Sequence, residues 1–332
     1  MLKHSYLLSF DDVWLEPQFS NIESRKIPNL SNKISSFHEL KHPVIASNMA
    51  SVVGEKMAKT FDNTGSIAFH HRFLSLEKLS LYAENFMLNS GNIFGFSIGI
   101  KKEDLDIAKE IYDIVGDKAA ILIDIAHGHN PKMGTMISNV KKVGYKTIVA
   151  GNVATADGFN YLADFGADAV RVGIAGGKVC TTKYVTGHHI PTFQSVLDCA
   201  NSRLSRNDHV AIIADGGISN SGDAAKAIAA GADFVCLGSI FASTSDSPGD
   251  LVHNEDGSSY KLHYGMSSLT AIHNFFGEKK RHVAPEGKTE RLPYSGETIE
   301  ILNEFLSGLK SALSYSGAEN IHDFQEKAVI LF

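Results

Sequence analysis

Eight short, nearly continuous apolar runs punctuate the chain, at 44–49, 66–71, 94–99, 120–126, 147–153, 169–174, 210–216 and 234–240. Each ends in small or polar residues. Unbroken runs of this length are expected of parallel strands covered on both faces, because neither face alternates with water. Between them apolar residues recur at three- and four-residue spacing, clearest at 105–115, 157–165 and 223–230, the period of an amphipathic helix. Gly116, Gly166 and Gly231 stand where these helices should stop, since glycine takes the left-handed backbone that ends a helix. Eight strands alternating with helices predict an α/β fold, a closed (β/α)₈ TIM barrel in one domain spanning 1–332. An N-terminal extension at 1–43 and a C-terminal segment at 290–332 would pack on the barrel or on a neighbouring subunit. An open doubly wound sheet is the alternative; the Gly-x-Gly-x-x-Gly of nucleotide-binding sheets does not follow the first run.

Composition narrows the classes. The 332 residues are 43% hydrophobic and 20% charged, enough for a substantial core. Thirty-one basic residues against 37 acidic ones leave a net charge of −6, which argues against nonspecific nucleic-acid binding. The three cysteines, Cys180, Cys199 and Cys236, are too few for a disulfide framework and predict a reducing cytoplasm. The apolar stretch within the first ten residues is too short for a secretory leader, and no run approaches a membrane span. Fifteen histidines include His70-His71 and His127-x-His129, but no set has zinc-like spacing, so a transition-metal site is not expected.

In a barrel, chemistry sits at the C-terminal ends of the strands. Those ends carry Ser47-Asn48-Met49, His71-Arg72, Asp124, Asn152, the loop 173–180, Asp215-Gly216-Gly217 and Gly238-Ser239. The loops after the seventh and eighth strands commonly hold a phosphate, and glycines there let backbone N–H groups approach its oxygens. Gly-Gly alone is equally a tight turn; the matching Gly238-Ser239 favours phosphate. Asp215 is suited to ribose hydroxyls. Three glycines lead into Cys180, whereas Cys199 sits in a helical pattern and Cys236 inside a strand, as small buried hydrophobes do. Lys178 and Lys183 flank Cys180 in sequence and would favour its thiolate if they are also close in space.

The segment Gly173-Ile174-Ala175-Gly176-Gly177-Lys178-Val179-Cys180-Thr181-Thr182-Lys183, with Thr186-Gly187 after it, resembles the catalytic loop of the IMP dehydrogenase/GMP reductase family. The resemblance runs over nearly the whole chain, through Phe10-Asp11-Asp12-Val13, Asn48-Met49, Asp124-Ile125-Ala126-His127-Gly128, Gly151-Asn152-Val153, 214–218, Tyr264-Gly265-Met266-Ser267-Ser268 and Glu286-Gly287-Lys288-Thr289. Cys-Thr-Thr is similar to the reductase branch. No regulatory insertion follows His71-Arg72-Phe73, and no Arg-Tyr pair occurs between Met266 and Glu286; in the dehydrogenases that pair activates water.

The resemblance implies NADPH-dependent reductive deamination of GMP to IMP and ammonia, through a thioimidate on Cys180, in purine salvage. It implies Cys180, Thr182 and Glu286 as catalytic residues, the last two moving a proton. Gly216, Gly217, Gly238 and Ser239 would hold the phosphate and Asp215 the ribose. Ser47, Met49, Tyr264, Gly265, Met266, Ser267 and Gly287 would complete the nucleotide site. The cofactor side would comprise Arg72, Asp124, Ile125, Ala126, Asn152, Ile174 and Ala175, with Ser24, Arg25, Ser311 and Ser314. Arg25 and Arg72 would favour NADPH by pairing with its 2′-phosphate; Arg25 is equally a solvated surface charge. Ala175, Gly177, Cys180 and Lys183 occupy the place of a potassium-binding loop, although Ala175-Gly176 replaces the family's Gly-Pro. The resemblance further implies a homotetramer in which the cofactor reaches a neighbouring subunit. Oxidation of IMP to XMP with NAD, and a catalytically silent nucleotide-binding barrel, are the competing readings.

Overall fold

The computed structural model describes residues 6–89, 91–276 and 284–332 of the chain. The N-terminal stretch read from Met1 is therefore followed from Tyr6. All eight apolar runs become strands of one sheet: β1 (Val44–Ala46), β2 (Phe69–His70), β3 (Phe94–Ile98), β4 (Ala119–Asp124), β5 (Thr147–Val153), β6 (Ala169–Val172), β7 (Ala211–Asp215) and β8 (Phe234–Leu237). Successive strands pair in parallel from β2 to β8, and β8 returns to β1 with Leu237 opposite Ala46. A parallel bridge between Ala46 and Ala68 completes the ring, so the closed barrel forms and the open sheet does not. The first run leaves the ladder three residues earlier than the pattern suggests, after Ala46. Ser47, Asn48 and Met49 line a cleft instead.

The helices of nine or more residues among the described residues are α1 (Glu55–Thr64), α2 (Leu76–Leu88), α3 (Lys102–Val115), α4 (Pro131–Val143), α5 (Ala156–Asp164), α6 (Thr192–Arg203), α7 (Ser221–Ala229) and α8 (Thr298–Tyr315). Their starts are written locally. Ser75, Asn130, Thr155 and Asn220 each accept a first-turn N–H with their side chains, satisfying donors that have no intrahelical partner. Gly116 caps α3, and Gly166 and Gly231 follow α5 and α7 closely with positive φ.

Two-residue alternation divides the strands between two cores. Leu122, Val149, Ala169, Ile213, Phe234 and Cys236 point into the barrel and form its inner cluster. Their neighbours Ile123, Ile148, Val170, Ala214 and Leu237 point outward against the helices. A hairpin of Asn32–Lys33 with Glu39–Leu40 adds Ile34 and Leu40 to the inner cluster. By the same alternation the next inward positions along β4, β6 and β7 are Asp124, Arg171 and Asp215, at the C-terminal rim.

Two further features shape that rim. Trp14–Glu16 pairs antiparallel with Val329–Leu331, tying the two ends of the chain together. Between β8 and α8 a three-stranded antiparallel finger (Val252–His253, Ser259–Tyr264, Thr289–Pro293) leaves the barrel and returns. It carries the Met266 and Glu286 segments back over the strand ends. Residues 277–283 of the short connection between those two lie outside the described residues.

Candidate active site

The strand ends surround a cleft of about 280 Å³. Its lining includes Ser47, Met49, Arg72, Asp124, Ile125, Ala126, Asn152, Ile174, Ala175, Gly177, Cys180, Thr182, Asp215, Gly216, Gly217, Gly238, Ser239, Gly265, Met266, Ser267 and Glu286. Those residues come from every part of the chain, and the closed barrel is what brings them together.

Backbone packing explains the glycines on two of these loops. Gly173 has φ +140, and a Cβ there would lie 2.0 Å from the Asp215 carbonyl oxygen. At Gly216, φ +93, a Cβ would fall 2.8 Å from the Gly177 nitrogen. The β6 and β7 loops thus cross backbone against backbone. Gly173→Ala is expected to cost more than about 2 kcal/mol. Gly257→Ala, at φ +84 with nothing within 4 Å, should cost about 1 kcal/mol. Urea midpoints of the two variants measure the difference; equal losses would mean that the crossing relaxes freely.

Cys180 is half-buried. Its thiol donates to Thr182 Oγ1 at 3.3 Å, and Thr182 donates to Glu286 Oε2 at 2.8 Å. A line of hydrogen bonds, a path open to a proton, therefore joins sulfur to carboxylate through one hydroxyl. Backbone bonds hold the path in register. Thr181 N–H donates to Glu286 O at 2.9 Å, Lys288 N–H to Val179 O at 2.9 Å, and Glu286 N–H to Ser267 O at 3.2 Å. Gly287, which forms an antiparallel bridge with Cys180, and Tyr264, whose N–H donates to Ser51 Oγ at 3.3 Å, stand beside the cleft and outside its lining.

Lys178 pairs with Glu290 at 3.8 Å, and the Lys183 ammonium lies 5.2 Å from the Tyr184 ring centre. The acceptor linked to the thiol is Glu286, 106 positions away in the sequence. Burial, with Asp198 nearby, pushes the Cys199 thiol up to about 12. Burial and Asp215 do the same for Cys236, also to about 12, so both stay protonated. Cys236 belongs to the inner core as its strand position suggested, yet it also reaches the cleft floor.

Gly216, Gly217, Gly238 and Ser239 lie together on one side of the cleft. A Cβ on Gly238 would meet Met49 Sδ at 3.6 Å, Ser47 Cβ at 3.7 Å and His263 Cε1 at 4.0 Å. His263 was not legible as a site residue. It is buried, its Nδ1 hydrogen-bonds Ser51 Oγ at 2.9 Å, and burial lowers its pKa to about 4.

Arg171 was also missed. It is 6% exposed and joins three polar residues. Its Nη2 donates to Asp215 Oδ2 at 2.7 Å, and its Nη1 to Asn48 Oδ1 at 2.7 Å and Asp124 Oδ1 at 3.2 Å. Asn152 Nδ2 donates to the same Asp215 oxygen at 2.6 Å and to the Gly173 carbonyl at 2.7 Å. Burial would lower the guanidinium pKa, but Asp215, Cys236 and Asp124 together push it above its usual range. One signal existed: an arginine inside Ala169-Val170-Arg171-Val172 shares the inward parity of Ala169.

Four residues expected near the cofactor are not in this cleft. Ser24 and Arg25 lie on the N-terminal segment against the end of α8, which carries Ser311 and Ser314. Arg25 sits 5.8 Å from the Tyr315 ring centre, and Lys310 Nζ donates to the Lys26 carbonyl at 3.4 Å. The pair His188-His189 acquires a local role: His189 Nδ1 hydrogen-bonds the Ile174 carbonyl at 3.0 Å, beside Ala175, whose φ is +63.

The fold and cleft define a (β/α)₈-barrel protein with a thiol, a hydroxyl and a carboxylate in line at the strand ends. The IMP dehydrogenase / GMP reductase domain matches residues 7–331. Three relatives are a GMP reductase of Caenorhabditis elegans, GMP reductase 2 of Homo sapiens and a GMP reductase of Vibrio vulnificus (strain YJ016). They are 35%, 34% and 33% identical to this chain. Each alignment covers 98% of the chain, and 91%, 93% and 94% of the respective relative. The chain belongs to the IMP dehydrogenase/GMP reductase family.

Proposed function

We propose that this protein is a GMP reductase, which converts GMP to IMP and ammonia at the expense of NADPH. The observation that carries the reading is the Cys180–Thr182–Glu286 line of hydrogen bonds, in a chain whose relatives over nearly its full length bear that name. Gly216, Gly217, Gly238 and Ser239 hold the phosphate, Asp215 the ribose, and Met266 with Glu286 the purine. Ser47, Met49, Gly265 and Ser267 complete the wall, and Tyr264 and Gly287 support it.

The chemistry follows from the line. Glu286 takes the thiol proton through the Thr182 hydroxyl, leaving a thiolate. The sulfur bonds to C2 of the guanine, whose ring electrons move onto nitrogen, and C2 becomes tetrahedral. Thr182 and Glu286 return the proton to the 2-amino group, the C–N bond breaks, and ammonia leaves a thioimidate on Cys180. Nicotinamide, when bound, supplies the hydride that C2 then receives. The C–S bond breaks and its electrons return to Cys180 as thiolate. In sum, GMP, NADPH and two protons give IMP, NADP⁺ and ammonium.

One cleft is lined both by Cys180 and by Asp124, Ile125, Ala126 and Arg72, which supports a nicotinamide cofactor held beside the thiol. Asn152, Ile174 and Ala175 line the same cleft. Ser24, Arg25, Ser311 and Ser314 reach the cofactor of a neighbouring subunit in a homotetramer, a reading supported by their position away from this chain's own cleft. Ala175 takes a left-handed conformation usually left to glycine. That supports retention of a potassium site built from the carbonyls of Ala175, Gly177 and Cys180, with Lys183 beside them. The sparse cysteines support a cytoplasmic location.

GMP-dependent loss of NADPH absorbance, with stoichiometric ammonia and faster turnover with potassium than without it, is the expected result. NADH formation from IMP and NAD, with no reaction from GMP, would overturn the assignment in favour of a dehydrogenase.

A further inference from the structure

A line of alternating charges crosses the floor of the cleft. Asp215 on β7 is paired with Arg171 on β6 at 2.7 Å. Arg171 is paired with Asp124 on β4 at 3.2 Å, and Asp124 with Arg72 after β2 at 3.8 Å. The members differ sharply in exposure. The Arg171 side chain is 7% exposed, those of Asp215 and Asp124 are 18% and 25%, and that of Arg72 is 34%. The guanidinium is thus nearly fully buried between two more exposed carboxylates, and all three line the cleft.

The geometry points to Arg171 as a positioning residue that couples the nucleotide half of the cleft to the cofactor half. This rests on the reading above, in which Asp215 takes the ribose and Asp124 the nicotinamide side. One planar group serves both carboxylates, with separate nitrogens, and a third bond to Asn48 Oδ1 at 2.7 Å fixes its plane. Asn48 is itself held by its Nδ2 bond to Ser97 Oγ at 3.0 Å. When ribose hydroxyls donate to Asp215, part of that carboxylate's charge is drawn from the guanidinium. Arg171 then binds Asp124 the more firmly, and the cofactor side is ordered by arrival of the nucleotide. Attraction across a buried arginine is little screened by salt or water, so the effect crosses the cleft without backbone movement. An arginine suits this task and a lysine does not, because an ammonium is a point charge and cannot present two fixed edges to two carboxylates.

The test is a double-mutant cycle on Asp124→Asn and Asp215→Asn, in the native background and with Arg171→Lys. NADPH affinity is read at zero and saturating GMP, with Cys180→Ala carried by every protein in the cycle so that the bound ligands are not consumed. In the native background GMP should tighten NADPH binding several-fold, and the two Asn variants together should lose less than the product of their separate losses, by ~10-fold or more. With Arg171→Lys the protein should fold, GMP should no longer tighten NADPH binding, and the two losses should multiply to within about 2-fold. Multiplicative losses in the native background, or intact GMP-dependent tightening with Arg171→Lys, would overturn the coupling. Arg171→Met, which removes the charge and keeps the bulk, covers the case in which the lysine variant does not fold; it should likewise abolish the tightening. If the unaltered protein binds GMP and NADPH but does not turn over, the reductase reading fails while the binding cycle still decides the coupling. If it binds neither, both fail.

Discussion

Replacing Cys180 by alanine is expected to reduce GMP-dependent NADPH oxidation by at least about 10⁴-fold, with GMP affinity changed by no more than a few-fold. The asymmetry follows from the site. On the proposed reading nucleotide is held by backbone and side chains on several strand ends, of which Cys180 is one wall, while Cys180 alone supplies the bond to C2. Cys199 and Cys236 are held protonated, each near 12, by burial first and by Asp198 and Asp215 respectively. Neither can stand in. Steady-state rates measure the first effect and isothermal titration with GMP the second. Residual turnover within about 100-fold of the native enzyme would rule out covalent catalysis by this residue, and comparable loss of binding would make Cys180 a structural wall.

Acid should unfold the protein well above the range in which its carboxylates titrate. Four buried histidines are kept neutral by the fold. Burial lowers His42 and His71 to about 4, and His70 to about 3 with His71 and Lys78 adding to the effect. Burial lowers His263 to about 4 against a smaller opposing pull from Glu290. Each has a pKa of 6.5 when unfolded. Between that value and the folded one the unfolded chain binds more protons, so stability falls as pH falls. Above 6.5 the penalty is absent. A shift of this size is worth on the order of 2–3 kcal/mol per histidine by pH 4. Together the four would consume most of a typical stability of about 5–15 kcal/mol. Asp168, raised by burial, works weakly in the other direction.

His70 illustrates why the cost is real. It is 2% exposed between the Tyr82 and Phe94 rings, 5.0 and 5.5 Å away, and its Nδ1 has no hydrogen-bond partner among the described residues. A charge there has nowhere to go. The melting temperature should hold steady from pH 8 to about 6.5 and drop steeply by pH 4.5. His70→Phe should flatten part of that fall. A melting temperature that stays constant down to pH 4.5 would show that these sites admit water or rearrange.

Local chemistry made much of the architecture legible. The runs at 94–99 and 147–153 become β3 and β5 almost residue for residue, because a strand covered on both faces must be apolar throughout. The stops at Gly116, Gly166 and Gly231 are legible for a similar reason: each is a backbone requirement carried by one residue. Where runs ended in polar residues, the boundary was drawn too late, as at Ser47-Asn48-Met49, since the departure from the ladder depends on the cleft. Motifs in the loop 173–180 and at Tyr264-Gly265-Met266 and Glu286-Gly287 exposed the candidate site, because each carries several chemically demanding residues in a row.

Isolated contributors stayed hidden. Arg171 is a lone cation in an apolar strand, marked only by its inward parity, and His263 is one histidine among fifteen. Their importance comes from partners distant in sequence, Asp124, Asp215 and Asn48 in one case, Ser51 and Gly238 in the other. The same holds for Cys180. By itself the sequence determined that this thiol follows a glycine-rich turn at a strand end, in company with threonine. The resemblance already placed Thr182 and Glu286 with it, and only the tertiary structure decided how the three are joined, the thiol bonded to Thr182 and Thr182 to Glu286. Lys178 lines the same cleft and pairs with Glu290, and Glu286 arrives on a returning finger to within one hydroxyl of the sulfur. A pattern along a chain reports what each residue requires of its surroundings. Which distant residue meets that requirement is settled by the closure of the barrel, where strands far apart in sequence end side by side.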